Sequence, residues 1–428
     1  MHTGLHCYLL SPAKQKSLFA IPDAALVWDE NGLITFAGAW SDRPRGRNIQ
    51  WEDRKGSLVT PGFIDVHSHL PQYSNVGCGG FPLLPWLRKF IFPLEKQFTP
   101  KRAALEAPRY FEELKRNGIT SAVIYSTVDA ESTEVSFQAA EASGLRIAMG
   151  QMMMDIHSYA PGSKKDLTKR TLDESAALCE RWHGAAKGRL QYAFSPRFAV
   201  TCSAELMKGA ADHARQANAY LQTHLAENPQ ELETVRSMYP ETKDYTNVYE
   251  INGLLGPKTI VGHAIYLSSR EFGALAETNT KVAHCPSSNL FLSSGVMDIS
   301  EMRRRGIKVG LASDVAAGPE LNPWEVMKAA SYSHQIRSAF VPTEFVPAPV
   351  DLFHLATVGG ARVLGKEKQI GQLRAGFAAD IVAWNTSDVM PAGESIFTGD
   401  DPELTLSRLV YRGARARVEK LWVQGESV

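Results

Sequence analysis

From about residue 59 to residue 365, short apolar segments alternate with longer amphipathic ones, and this alternation limits the fold more than any other feature of the chain. Eight segments read as strands: 62–66, 121–125, 146–151, 190–195, 219–224, 259–263, 281–284 and 308–313. Stretches with helical spacing lie between them, among them 102–117, 204–216 and 228–238. Helical stretches stop at Asn117-Gly118 and Ser143-Gly144, since glycine takes the left-handed conformation that ends a helix. Eight strand–helix units over about 300 residues fit an α/β fold of the (β/α)₈ TIM-barrel class. An open doubly wound sheet is the alternative. No GxGxxG run follows the first strand, so dinucleotide binding has no support.

The two ends of the chain read differently. Segments 25–28 and 33–38 flank the turn Asp29-Glu-Asn-Gly32, which predicts a hairpin. Strand patterning returns at 380–384 and 418–423. Residues 1–58 and 370–428 are therefore expected to form one small β-sandwich domain together, beside a metal-dependent catalytic barrel over 59–369.

Composition removes several classes of function. The 46 basic residues balance 46 acidic ones, so no net field draws the chain to nucleic acid or to a membrane surface. The basic run Arg303-Arg-Arg305 reads as a solvated helix face. No apolar run reaches the ~20 residues of a membrane helix; the stretch 81–92 is broken by Pro82, Pro85 and Arg88-Lys89. Five widely spaced cysteines, with no CxxC pair, argue for a reducing compartment. The first residues lack a signal-peptide pattern. The expectation is a cytoplasmic protein.

Chemistry concentrates where predicted strands end, which in a barrel is the face that carries active sites. The first is Pro61-Gly-Phe-Ile-Asp65-Val-His67-Ser-His69. Alternate strand residues share a face, so this run is expected to aim His67, His69 and Asp65 into one cavity. Imidazole is a common ligand for zinc and similar ions. His224 ends the fifth strand, and Glu227 follows just before a helix that Asn228-Pro229 would open. Alone, His224 reads equally as a core histidine, and Glu227 as a carboxylate favoured by the helix dipole. Together they suit proton transfer beside a metal-bound water. His263 ends the sixth strand, as a ligand or a hydrogen-bonding group, and Asp314 follows the eighth, where metal coordination explains it better than a structural ion pair. Three imidazoles or fewer plus one carboxylate leave room for water, whose pKa a metal lowers from ~16 towards ~7. The reaction class is hydrolysis at an electrophilic carbon. His284 reads equally as support for the site or as structural, and Cys285 lacks the histidine partner of a nucleophile.

These residues, with Gly262-His263, His284-Cys-Pro-Ser-Ser-Asn289 and Ser313-Asp314, resemble the single-metal deaminase branch of the amidohydrolase superfamily. No lysine ends the fourth strand, where two-metal members would carry a bridging carbamate. Further elements are similar to the guanine deaminase family within that branch: Pro71-Gln72-Tyr-Ser, Leu83-Leu-Pro-Trp86-Leu, Phe92-Pro-Leu-Glu95 and Ser195-Pro-Arg197-Phe198. The resemblance runs almost the whole length of the chain. It implies one zinc per subunit on His67, His69, His224 and Asp314, a ligand set that iron would also accept. Glu227 would protonate the ring nitrogen beside the reacting carbon and then assist the departing ammonia. Asp314 would take the water proton, and His263 would steady the attacking oxygen. Gln72 and Arg197 would hydrogen-bond the purine's polar edge, with Phe198 packing on the ring. The implied substrate is the small molecule guanine, the implied pathway purine catabolism or salvage, and the implied assembly a homodimer. Ala317 and Pro319 depart from the resemblance after the metal aspartate, which keeps a pterin or 8-oxoguanine as the alternative substrate. A non-catalytic scaffold would not need this ligand set. A nucleic-acid-editing deaminase would need HxE followed by PCxxC, which the chain lacks.

Overall fold

The computed structural model describes residues 2–13, 17–46, 48–397 and 401–428. Its first four strands are β1 (His2–Pro12), β2 (Leu18–Trp28), β3 (Ile34–Ala39) and β4 (Ile49–Pro61). The expected hairpin is present: β2 pairs β3 antiparallel, with Gly32 at φ +73° in the turn. The barrel follows with β5 (Phe63–His69), β6 (Ile119–Tyr125), β7 (Arg146–Gly150), β8 (Met152–Met153), β9 (Leu190–Pro196), β10 (Tyr220–Leu225), β11 (Thr259–His263), β12 (Lys281–His284) and β13 (Val309–Leu311). Apart from the two-residue β8, which pairs beside β9, these are the eight strands expected from the sequence, in the parallel order β13-β12-β11-β10-β9-β7-β6-β5. The last strands are β14 (Ile381–Asn385), β15 (Arg417–Val423) and β16 (Glu426–Ser427).

Strands β5 and β13 stand at the two ends of the barrel order and meet at its mouth. The Asp314 amide donates to the His67 carbonyl at 2.9 Å, and the His69 amide to the Val315 carbonyl at 3.0 Å. Asp65 completes the closure by accepting from the Ser313 amide at 3.0 Å and the Ser313 hydroxyl at 2.5 Å. The barrel interior is filled by Ile64, Val66, Val123, Ala148, Ile260 and Ala283, so it is a packed core with function left to its rim.

The chain ends join in one mixed sheet, ordered β16-β15-β14-β4-β1-β2-β3. The sheet curls around its own core: Trp28 on β2 meets Trp422 on β15 at 5.7 Å, although three strands separate them in the sheet. Trp384 on β14 turns the other way and packs against Phe63 and Trp324 of the barrel body. Arg146 on β7 pairs with buried Asp380 at 2.6 Å and ties the two parts together. Among the described residues no helix is long and apolar enough to cross a membrane, and all five cysteines are free thiols.

Candidate active site and metal centre

His67 and His69 end β5, but strict alternation does not hold along this strand. Asp65 pairs with Ala122 and Ser68 with Ile124, so β5 carries one extra residue there. This bulge sends Val66 and His67 inward in succession. Asp65 falls on the outer side with Ser68, where Tyr110 donates to the Ser68 hydroxyl at 2.7 Å. The expectation that Asp65 shares a cavity with the imidazoles is thus overturned; it clasps β13 instead.

The four expected ligands converge. His69 Nε2 lies 3.2 Å from His224 Nε2, and Asp314 Oδ1 lies 3.3 Å from both His67 Nε2 and His69 Nε2. The ligand atoms of all four fall within 4.8 Å of one another. A tetrahedral ion with bonds of ~2.0–2.1 Å has ligand–ligand edges of ~3.3–3.4 Å, which these contacts match. His67 Nε2 is buried with no hydrogen-bond partner, a costly state that a cation in the cradle relieves. His224 Nδ1 faces the Arg197 carbonyl at 2.6 Å, which leaves its Nε2 lone pair for an ion.

Charge states agree with that fit. Burial pushes His69 down to about 4, and burial together with the neighbouring imidazoles holds His224 well below the usual range. Both are therefore neutral at neutral pH, the form that binds metal. Burial opposes ionisation of Asp314, but the close approach of His67 and His69 and the charges of His67 and His263 outweigh it and hold the carboxyl well below its ordinary value. Ser288 donates to its other oxygen at 2.6 Å.

Glu227 sits beside the cradle. Its Oε1 accepts from the Ser294 hydroxyl at 3.1 Å, and Oε2 lies 3.4 Å from His263 Nε2. Burial, reinforced by the Asp314 charge, pushes its carboxyl up to about 8. Its backbone is fixed by Glu231 in the first turn of the helix Pro229–Met238, which accepts from the Glu227 amide at 2.9 Å. His263 Nδ1 meets Asn289 Oδ1 at 2.8 Å, and its Nε2 lies 3.7 Å from Asp314 without a hydrogen-bond partner.

A pocket opens over these groups. Gln72, Arg197 and Phe198 line it, with Trp86, Leu292 and Ala317 among its other walls. Every residue expected from the sequence to act in catalysis, metal binding or substrate contact lines this pocket or, in the case of His67, the cradle beneath it. His284 pairs with His334 at 3.0 Å and is not among the residues lining the pocket. Cys285 Sγ lies near His67, His263 and Asp314, but burial raises its thiol well above the usual value and keeps it protonated.

One residue of the site went unassigned at the level of sequence. Glu95, fully buried, accepts from Gln72 Nε2 at 2.8 Å, from Arg197 Nη1 at 2.6 Å and from the Tyr159 hydroxyl at 2.8 Å. Its signal was the Phe92-Pro-Leu-Glu95 element alone; nothing in the local spacing marks that carboxylate as interior. Asn289 and Ser294, which hold His263 and Glu227, were likewise visible only through their contacts.

Residues 58–428 match the amidohydrolase family, and the chain belongs to that family. It is 34% identical over 418 residues to a guanine deaminase of Escherichia coli (strain K12), covering 96% of this chain and 89% of that protein. A guanine deaminase of Rattus norvegicus is 32% identical over 375 residues, 86% of this chain and 82% of its own. The crystal structure of a guanine deaminase from C. acetobutylicum with guanine bound in its active site has a TM-score of 0.90 against this fold, covers 100% of both chains and shares 26% identity.

Proposed function

We propose that this chain hydrolyses guanine to xanthine and ammonia with one zinc ion per subunit. The observation that carries this reading is a four-donor cation cradle with a buried, proton-bearing carboxyl beside it, under a pocket lined by an amide and a guanidinium. His67, His69, His224 and Asp314 would hold the zinc, or iron in its place. When bound, the metal supplies the Lewis acidity that makes water a nucleophile at neutral pH.

The remaining steps belong to the side chains. Gln72 and Arg197 hydrogen-bond the polar edge of the purine, and Phe198 packs on its ring. Asp314, held as a carboxylate, accepts the proton of the attacking water. His263 steadies the incoming oxygen from its free Nε2. Glu227, protonated at neutral pH, donates to the ring nitrogen as C2 becomes tetrahedral. The proton removed from water then passes to the exocyclic amine, which leaves as ammonia, while the C2 hydroxyl returns its proton to Glu227 and the carbonyl of xanthine forms.

Residues 59–369 would be the catalytic barrel, and 1–58 with 370–428 its supporting β domain, in a cytoplasmic homodimer that serves purine breakdown or salvage. Steady-state ammonia release from guanine, with and without chelator, tests the activity; no release from the zinc-loaded protein would sink it. Ala317 in the pocket wall favours testing a second substrate class, so isoxanthopterin and 8-oxoguanine belong in the same assay. Turnover of either above that of guanine would transfer the assignment to it. Sedimentation equilibrium tests the dimer.

A further inference from the structure

Glu95 has no place in the mechanism above, yet it is the best-connected side chain behind the pocket. It contributes no atom to the pocket wall described above. One oxygen takes Gln72, and the other takes both Arg197 and the Tyr159 hydroxyl. Gln72 Oε1 also accepts from the Ala316 amide at 3.3 Å, so both ends of its amide are committed and the group cannot flip. The Arg197 guanidinium lies over the Phe92 ring, 5.1 Å from its centroid, and Glu95 holds one of its nitrogens. Arg197 and Glu95 are buried to the same degree, 3% and 0% exposed at the side chain, so water screens their charges little. The carboxylate therefore cancels the guanidinium field where the heterocycle's polar edge would lie, while leaving the other Arg197 donors in place.

We propose that Glu95 is a positioning residue that makes this pocket select neutral heterocycles over anionic ones, and so favours release of the deaminated, more acidic product. The inference rests on the purine-deaminase reading of the same site. Its chemistry is general: replacing an exocyclic amine by a carbonyl makes the ring more acidic, and an unopposed guanidinium would hold the resulting anion.

The test is a binding ratio at one pH with the zinc-loaded enzyme. At pH 6.5 urate is an anion and xanthine is mainly neutral, so their competition gives the preference directly. Glu95→Gln should move the preference towards urate by on the order of 10-fold, from loss of one buried charge. Glu95→Asp restores the charge with a shorter reach. It should return the ratio towards wild type even where guanine turnover stays low, which a purely structural role would not do. An unchanged ratio in Glu95→Gln, or a ratio in Glu95→Asp that follows Glu95→Gln, overturns the inference while the deaminase reading stands. Wild-type protein that binds neither purine and releases no ammonia from guanine overturns both.

Discussion

At the scale of single residues, two opposite environments separate two carboxyl groups. Asp314, among imidazoles, stays ionised, whereas Glu227, buried and repelled by Asp314, carries a proton up to about 8. Raising the folded-state value above the unfolded one means that Glu227 is charged in the unfolded chain and protonated in the folded one over the range between them. Stability therefore falls as pH rises through that range. Glu227→Gln removes the effect, so at pH 7 the metal-free variant should melt above wild type by calorimetry. The same variant should bind zinc normally and lose ~10²–10⁴-fold in kcat. Near-normal turnover would remove Glu227 from proton transfer. In wild type, kcat/KM should fall as pH rises above neutrality, because the donor form of Glu227 is lost. Arg197→Ala should lower kcat/KM for guanine by on the order of 10²-fold through loss of charge-assisted bonding; an unchanged value would exclude it from substrate contact.

At the scale of elements, function sits where strands stop. Ala226, His263, Ala264 and Asp314 all have positive φ, from 49° to 68°, a conformation that costs about 1–3 kcal/mol for residues other than glycine. The neighbouring hydrogen bonds and the capped helix Pro229–Met238 hold these sharp exits in place. Gly262 on β11 shows how close the packing is: a Cβ there would come 2.8 Å from His67 Cε1. Gly262→Ala should thus push a ligand out of line and weaken zinc binding by ~10–100-fold, read by metal titration with the far-ultraviolet spectrum unchanged. Full zinc affinity would show that the cradle does not depend on that contact. The strands themselves were legible, since apolar runs between turn signals depend on neighbours in sequence. The bulge in β5 was not, because Asp65 looks the same in sequence whether it faces the mouth or the outside. Its orientation follows from Ser313, 248 residues away. Asp65→Ala strands the Ser313 and His67 amides and should cost about 1–3 kcal/mol for each unsatisfied group, visible in chemical denaturation.

At the scale of the whole molecule, the barrel depends on both chain ends. Trp384 and Asp380 of the last segments pack and pair with Phe63 and Arg146 of the barrel. A chain cut at 369 should therefore lose cooperative unfolding, and a soluble, cooperatively folding fragment would refute that dependence. Metal links to the same stability: free zinc at 100 times its Kd should add about 2.7 kcal/mol, so chelation should lower Tm. The sequence by itself determined the eight strands, the amphipathic helices, and which imidazoles and carboxylates stand at strand ends. All of these are set by side-chain periodicity over a few neighbouring residues. Only the tertiary structure decided that β5 bulges, that Asp65 closes the barrel, and that Glu95 lies buried against Gln72 and Arg197. Those outcomes depend on contacts between residues up to hundreds of positions apart, and such contacts leave no local period to read.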